Sequence, residues 1–488
     1  MNKFFAQIHN MIWGIPMLIL ILGVGFRISY GTKFVQFRFL PSAFRKLFSG
    51  SQKEGCGKND ASAYEALCTA LAATVGTGNL AGVAGAISIG GPGAVFWMWI
   101  CAFLGMVIKY AEATLAVRYR QSIGDEYFSG PMYIIRHGLG KRFSWLAYLY
   151  AGLCVVAAFG VGNATQMNTV VSSINQLMSS FGVSLPSAAL FAFGVILAGF
   201  VLLLLLGGAT RIRRFVSGLV PFASGLYVLL ALGILVLRFS QIPQAFASIF
   251  SGAFSPSAVT GGIVGSVFQV MRVGASRGIF TNEAGMGTAA IAHGVAKVAH
   301  PCEQGLMGIM EVFIDTVVIC TLTALVILCS GVPVAYGIDQ GVVLTLQAFT
   351  SVYGSWSQIL LSICLCCFAF ATIVGWSYYG GRCAQFLFGK FAWTWFSLVQ
   401  AAVSLVSVFL GTGVIWTLSE IFNGLLSIPN LIALLILCPE VIRLTQDYRY
   451  QYGTKAAVGG TNENFYQCKP VRTFSHEKVS PHGCQSQK

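Results

Sequence analysis

The chain has 488 residues, of which 9% are charged and 56% apolar, where soluble proteins carry about 25% charged residues. Thirty basic against 16 acidic residues leave a net charge of +14; that is too few charges in all for a nucleic-acid binder, and 13% aromatic residues exclude disorder. The 56 glycines suit close-packed membrane helices, which leaves an all-α polytopic protein embedded in membrane lipid, with no obligate protein partner evident.

A span needs roughly 20 mostly apolar residues. Eleven stretches qualify: 9–27, 64–90, 92–117, 144–168, 185–209, 215–238, 259–290, 304–331, 354–379, 391–411 and 413–438. The first holds no Lys, Arg, Asp or Glu between Phe4 and Phe26, exceeds a signal-peptide core and lacks a following small-x-small site, so it is expected to be retained. Residues 1–27 are thus an extra N-terminal helix and 28–63 a cytoplasmic loop. Residues 64–238 and 259–438 are two groups of five, and 439–488 a mobile cytoplasmic tail. Basic residues crowd the loops after segments 1, 3 and 5 and the tail. The opposite loops, after segments 4, 6, 8 and 10, hold only Arg238. The positive-inside rule then puts the N-terminus outside and the C-terminus in the cytoplasm of a bacterial-type inner membrane. Most of the 14 cysteines fall in spans or on the cytoplasmic side, so no disulfide is expected. Cys364, Cys366 and Cys367 point apart on one helix, and packing explains them better than a metal.

Segment 2 contains AATVGTGNLAGVAGAISIGG, with Gly76, Gly78, Gly82 and Gly85 beside Thr77 and Asn79. Segment 7 contains MRVGASRGIFTNEAGMG, with Gly274, Gly278, Gly285 and Gly287 beside Arg277, Asn282 and Glu283. Glycine alone signals helix packing. A polar, glycine-dense run at membrane depth signals broken backbone, which survives only inside protein or along a cavity. Each run opens a group of five, and five is odd, so the two groups enter the membrane from opposite sides. Interrupted helices at matching positions of inverted halves point to a transporter site. A half-helix beginning near Gly78 offers amides and a positive dipole end to a carboxylate. Carbonyls freed at the break, with Thr74, Thr77 and Asn79, offer oxygens to a hard cation such as Na⁺ or to an ammonium group.

Residues 66–112, ALCTALAATVGTGNLAGVAGAISIGGPGAVFWMWICAFLGMVIKYAE, resemble the signature region of the alanine or glycine:cation symporters, the sodium:alanine symporter family. GNATQMN (162–168), RGIFTNEAGMGTAAIAH (277–293), FIDTVVICTLTALV (313–326), ATIVGWSYYG (371–380) and IFNGLLSIPNL (421–431) resemble further family blocks. The resemblance implies a LeuT-type 5+5 inverted repeat and import of alanine, glycine or D-alanine with Na⁺ as coupling ion. For the substrate it implies Thr77, Gly78, Asn79, Gln166, Phe280, Asn282 and Trp376, with the second broken stretch at Arg277–Asn282. For Na⁺ it implies the carbonyls of Ala72, Val75 and Ala369 and the hydroxyl of Thr372. The chain departs from the family pattern at TNEAGMGT, where SNEAGLGS is expected, at Gly381, where an acidic residue is expected, and at Glu420, where aspartate is more usual.

Asp315 is a functional suspect, since a charge at mid-depth costs about 2.5–3.5 kcal/mol on insertion scales. Residues 316–338 could span alone, however, which favours a structural or gate role near the cytoplasmic interface. Lys109 and Glu112 read as an interfacial pair, and Arg272 and Arg277 as partners of Glu283 or Glu311 closing the cytoplasmic side. Gly274–Gly278 matches G-x-S-x-G, but without the strand–turn–helix setting or a histidine deep in a span an intramembrane enzyme is disfavoured. Two half-broken helices suit occlusion better than a channel. A proton-coupled symporter is the alternative, with Glu283 as the titratable group.

Overall fold

In a computed structural model of the chain, residues 3–48, 61–124, 126–409 and 412–458 are described. Helices dominate. Next to α1 (Lys3–Ile12) and α2 (Ile15–Gly31) come two short helices, α3 (Val35–Arg38) and α4 (Leu40–Phe48), inside the stretch expected to be loop. Then follow α5 (Ala63–Thr74), α6 (Val83–Gly90), α7 (Gly93–Arg118), the hairpin β1 (Gln121–Ile123) and β2 (Glu126–Phe128), α8 (Pro131–Ile134), α9 (Ser144–Phe159), α10 (Thr165–Ser180), α11 (Ser187–Leu206), α12 (Gly208–Leu237), α13 (Ile242–Phe254) and α14 (Pro256–Thr260). The remainder is α15 (Val267–Asn282), α16 (Thr288–His293), α17 (Pro301–Val312), α18 (Thr321–Cys329), α19 (Gly341–Tyr353), α20 (Trp356–Phe388), α21 (Ala392–Ser407) and α22 (Thr412–Val458).

Among the described residues, seven helical stretches are long and apolar enough to cross a membrane, and the α5–α6 pair, bent by 51°, makes an eighth. Exposed apolar side chains such as Ile196, Leu229 and Val236 form the kind of surface that meets lipid. Most of the described part of each expected stretch is helical, although 64–90 is interrupted at 75–77 and 259–290 at 261–266 and 283–287. The helix α19 lies in an expected loop; its 13 residues extend about 20 Å, short of a bilayer core. The last helix continues to Val458, twenty residues past the expected end of its span at 438; residues 459–488 of the expected mobile tail lie outside the described residues.

Three packing relationships position the site. α20 lies against α5, α9, α10 and α12, α7 lies against α15 and α17, and α1 and α2 lie against α22. Glycine permits the closest approaches. A Cβ on Gly375 of α20 would stand 2.9 Å from the Ala73 amide nitrogen of α5, so only glycine lets these two backbones meet. On α15, a Cβ at Gly274 would run into the Ala94 carbonyl, and one at Gly278 would touch Met98 Cα of α7 at 3.4 Å.

Candidate functional site

The first break is built locally. α5 opens with a capping box, in which Ser62 and Glu65 each receive the other's backbone amide at 3.1 Å. It ends where Val75 turns extended, at φ −77° and ψ 96°. The Gly76 amide would close a helical bond to the Ala72 carbonyl if the helix continued; it donates instead to Asn79 Oδ1 at 2.8 Å. The Ala72 carbonyl is thereby deprived of its helical donor. Residues Gly78–Gly82 then form a π-helical turn leading into α6. Two more π turns face this region, Gly160–Ala164 between α9 and α10 and Phe313–Cys320 between α17 and α18; such turns recur at functional sites.

Asn79 is committed to the scaffold. Its Nδ2 donates to Asp315 Oδ1 at 2.6 Å and to the Asp315 carbonyl at 3.2 Å. The Thr316 hydroxyl donates to Asp315 Oδ2 at 2.7 Å, and Asn282 Nδ2 donates to Thr316 Oγ1 at 3.2 Å. All four side chains are buried. Asp315, fully buried, therefore braces the break through Asn79. Asn79 and Asn282, expected to touch substrate, are absent from the cavity wall, because their amides are spent on this brace.

A small cavity lies where α5, the π turn, α10, α15 and α20 converge. Gly78, Gln166, Phe280 and Trp376 line it, as the resemblance implied for substrate, and so does Thr372. Ala73, Thr74, Gly76, Val161 and Glu283 complete the wall. Thr77 stands one step back: its hydroxyl donates to Gln166 Oε1 at 2.8 Å. Gln166 Nε2 donates to the Val161 carbonyl at 3.2 Å. Trp376 is fully buried, and Gly162 makes room for it, since a Cβ there would collide with the Trp376 side chain. Phe280 packs on the break, 3.5 Å from where a Gly78 Cβ would lie.

Of the cation residues, Thr372 faces the break directly: its Oγ1 lies 2.5 Å from where a Gly76 Cβ would be. That hydroxyl is buried and makes no hydrogen bond to any described residue. Val75, just past the end of α5, and Ala369, within the unbroken helix α20, are both buried. The donor set of freed carbonyl and orphan hydroxyl fits a hard cation such as Na⁺, which binds neutral and carboxylate oxygens.

The second break departs from expectation. Residues Arg277–Asn282 are helical within α15, and Gly274 and Gly278 serve close packing on α7. The chain breaks at 283–287, where Glu283, Gly285 and Gly287 have φ of 53°, 92° and 76°. Glu112 of α7 holds this break: its Oε1 accepts from the Gly285 amide at 3.0 Å, the Gly287 amide at 3.1 Å and Asn430 Nδ2 at 2.7 Å. Lys109 does not pair with Glu112 at an interface; buried, it meets Glu311 Oε1 at 2.8 Å, and His293 of α16 meets Glu311 Oε2 at 2.9 Å. Arg277 pairs with neither Glu283 nor Glu311. Its partners are Asp339 at 3.0 Å and Glu420 at 3.1 Å, on the side that the charge pattern assigns to the outside. Glu283, which the sequence offered only as the titratable group of the proton-coupled alternative, lines the cavity. The signal available was its standing as the acidic residue among the glycines of segment 7.

This arrangement of a bent helix pair, a second interrupted helix and a cavity between them is that of a membrane transporter. The fold matches MhsT in complex with L-phenylalanine, with a TM-score of 0.56 at 16% identity over 80% of this chain and 99% of that one. The description "Sodium:alanine symporter family" fits residues 1–460, and the chain belongs to that family. It is a transporter and not an enzyme. It is 39% identical to the sodium/alanine symporter AgcS of Methanococcus maripaludis over 90% of this chain and 96% of that protein. It is also 33% identical to the probable sodium/glutamine symporter GlnT of Bacillus subtilis over 96% and 97% of the two chains.

Proposed function

We propose that the chain imports a small neutral amino acid, alanine, glycine or D-alanine, coupled to Na⁺ by alternating access. Its layout in this reading is eleven spans, one extra helix before a 5+5 inverted repeat, with the N-terminus outside. Family membership supports the class. The observation that carries the coupling ion is local. Thr372 Oγ1, buried and without a hydrogen bond among the described residues, faces Gly76 at the point where the Ala72 carbonyl has lost its helical donor. The wall supports a small substrate: Trp376 and Phe280 fill the space a longer side chain would need, and the Gly78 end of the break supplies a polar contact. The names of relatives, alanine in one and glutamine in another, leave substrate choice to the wall of each protein.

Purified protein in proteoliposomes is expected to accumulate labelled alanine under an inward Na⁺ gradient and not without Na⁺. Uptake driven by a pH gradient alone would favour proton coupling, for which Glu283 in the cavity wall is the available group. No uptake of alanine, glycine or D-alanine under either gradient would sink the reading.

A further inference from the structure

Glu283 is the only charged side chain among those lining the cavity. Its backbone is left-handed, with φ of 53°, a conformation uncommon for a residue with a Cβ other than Asn or Asp and concentrated at functional sites. The break in the α15–α16 helix thus places a carboxylate, 2% exposed, against the cavity. One of its oxygens, Oε2, accepts from the Thr288 hydroxyl at 2.5 Å. No Lys, Arg or His of the described residues pairs with it. The nearby cations are engaged elsewhere, Lys109 and His293 both on Glu311. Glu112 is occupied by the Gly285 and Gly287 amides and Asn430.

Glu112, Glu283, Glu311 and Asp315 are buried, against Lys109 and His293. A buried carboxylate without a cationic partner is strongly unfavourable. Glu283 differs from the other three in lining the cavity. The Gly78 end of the first break lies on the same wall, while the Gln166 amide nitrogen is spent on the Val161 carbonyl and the Thr165 hydroxyl. The cavity wall thus combines a half-helix end suited to an anionic group with one acidic side chain suited to a cationic one, a combination that complements a zwitterion.

We propose that Glu283 is the counter-charge of the transported amino acid's ammonium group, and that it makes the site select amino acids over carboxylates lacking that group. This rests on the amino-acid reading above. The full-length protein in proteoliposomes tests it, with uptake of labelled alanine competed by unlabelled alanine and by propionate, the same carboxylate without the ammonium. Wild type should prefer alanine strongly. Glu283→Gln should lower the alanine-to-propionate preference by about tenfold or more, through weaker alanine binding, as expected when one partner of a desolvated charge pair is removed. Glu283→Asn, also neutral and better suited to a left-handed backbone, carries the same comparison if the glutamine variant fails to fold. Glu283→Asp keeps the charge and should keep most of the preference. An unchanged preference in the neutral variants would overturn the proposal. So would a raised Na⁺ requirement with the preference intact, since the carboxylate would then serve the cation. A wild type that takes up no amino acid would instead defeat the transport reading on which the proposal stands.

Discussion

Arg277 of α15 and Glu420 of α22 form a buried ion pair at 3.1 Å, and the same guanidinium reaches Asp339 before α19 at 3.0 Å. Glu420 also lies 2.7 Å from His9, and its carbonyl accepts from the Trp13 indole at 2.9 Å. The extra N-terminal helix is therefore tied to the same point as the second interrupted helix. The two pair members are 13% and 11% exposed at their side chains, enough burial for the loss of one partner to cost about 3–5 kcal/mol. Arg277→Ala should lower the thermal midpoint clearly and reduce uptake, whereas Glu420→Asp, which keeps the charge, should be milder. Equal melting of wild type and Arg277→Ala would show that the pair contributes no stability.

The orphan Thr372 hydroxyl gives a direct handle on the cation. Thr372→Val keeps the shape and removes one oxygen, which is worth roughly 1 kcal/mol, or about fivefold in half-saturating Na⁺. Thr372→Ser should stay nearer wild type because the oxygen remains. An unaltered Na⁺ dependence in the valine variant would remove Thr372 from the cation site.

Trp376 and Gly162 define the size limit together. Trp376→Leu should weaken alanine uptake and let glutamine compete, because the indole no longer fills the wall. Gly162→Ala should act in the opposite direction, pressing the indole toward the cavity; alanine uptake should fall more than glycine uptake. Competition profiles of the two variants that both match wild type would place the size filter elsewhere.

Topology is testable by reporter fusions. Fusions after residues 183 and 338 should read outside, and those after residues 140 and 455 inside, as the basic loops require. A cytoplasmic signal after residue 338 would undo the inverted layout and move the Arg277–Glu420 pair to the opposite face.

The sequence by itself determined the membrane class, the first break and the family resemblance. These are legible because they follow from local properties: apolar length, and a VGTGN run that cannot keep a helix at membrane depth. It could not locate the second break. Gly274, Gly278, Gly285 and Gly287 look alike along the chain, and only the approach of α7 shows that the first two serve packing while the backbone turns at the last two. It could not sort the polar residues either. Asn79 and Asn282 carry the right chemistry for a ligand, but Asp315 and Thr316 sit within hydrogen-bonding reach and claim them. The missing acidic residue at Gly381 has a similar explanation, since a Cβ there would stand 2.7 Å from the Trp393 ring. Whether a glycine marks a close approach or a broken strand of backbone, and whether an amide faces a cavity or a neighbour, depends on what packs beside it. That is decided by neighbouring elements both near and far along the chain, and so only by the tertiary structure.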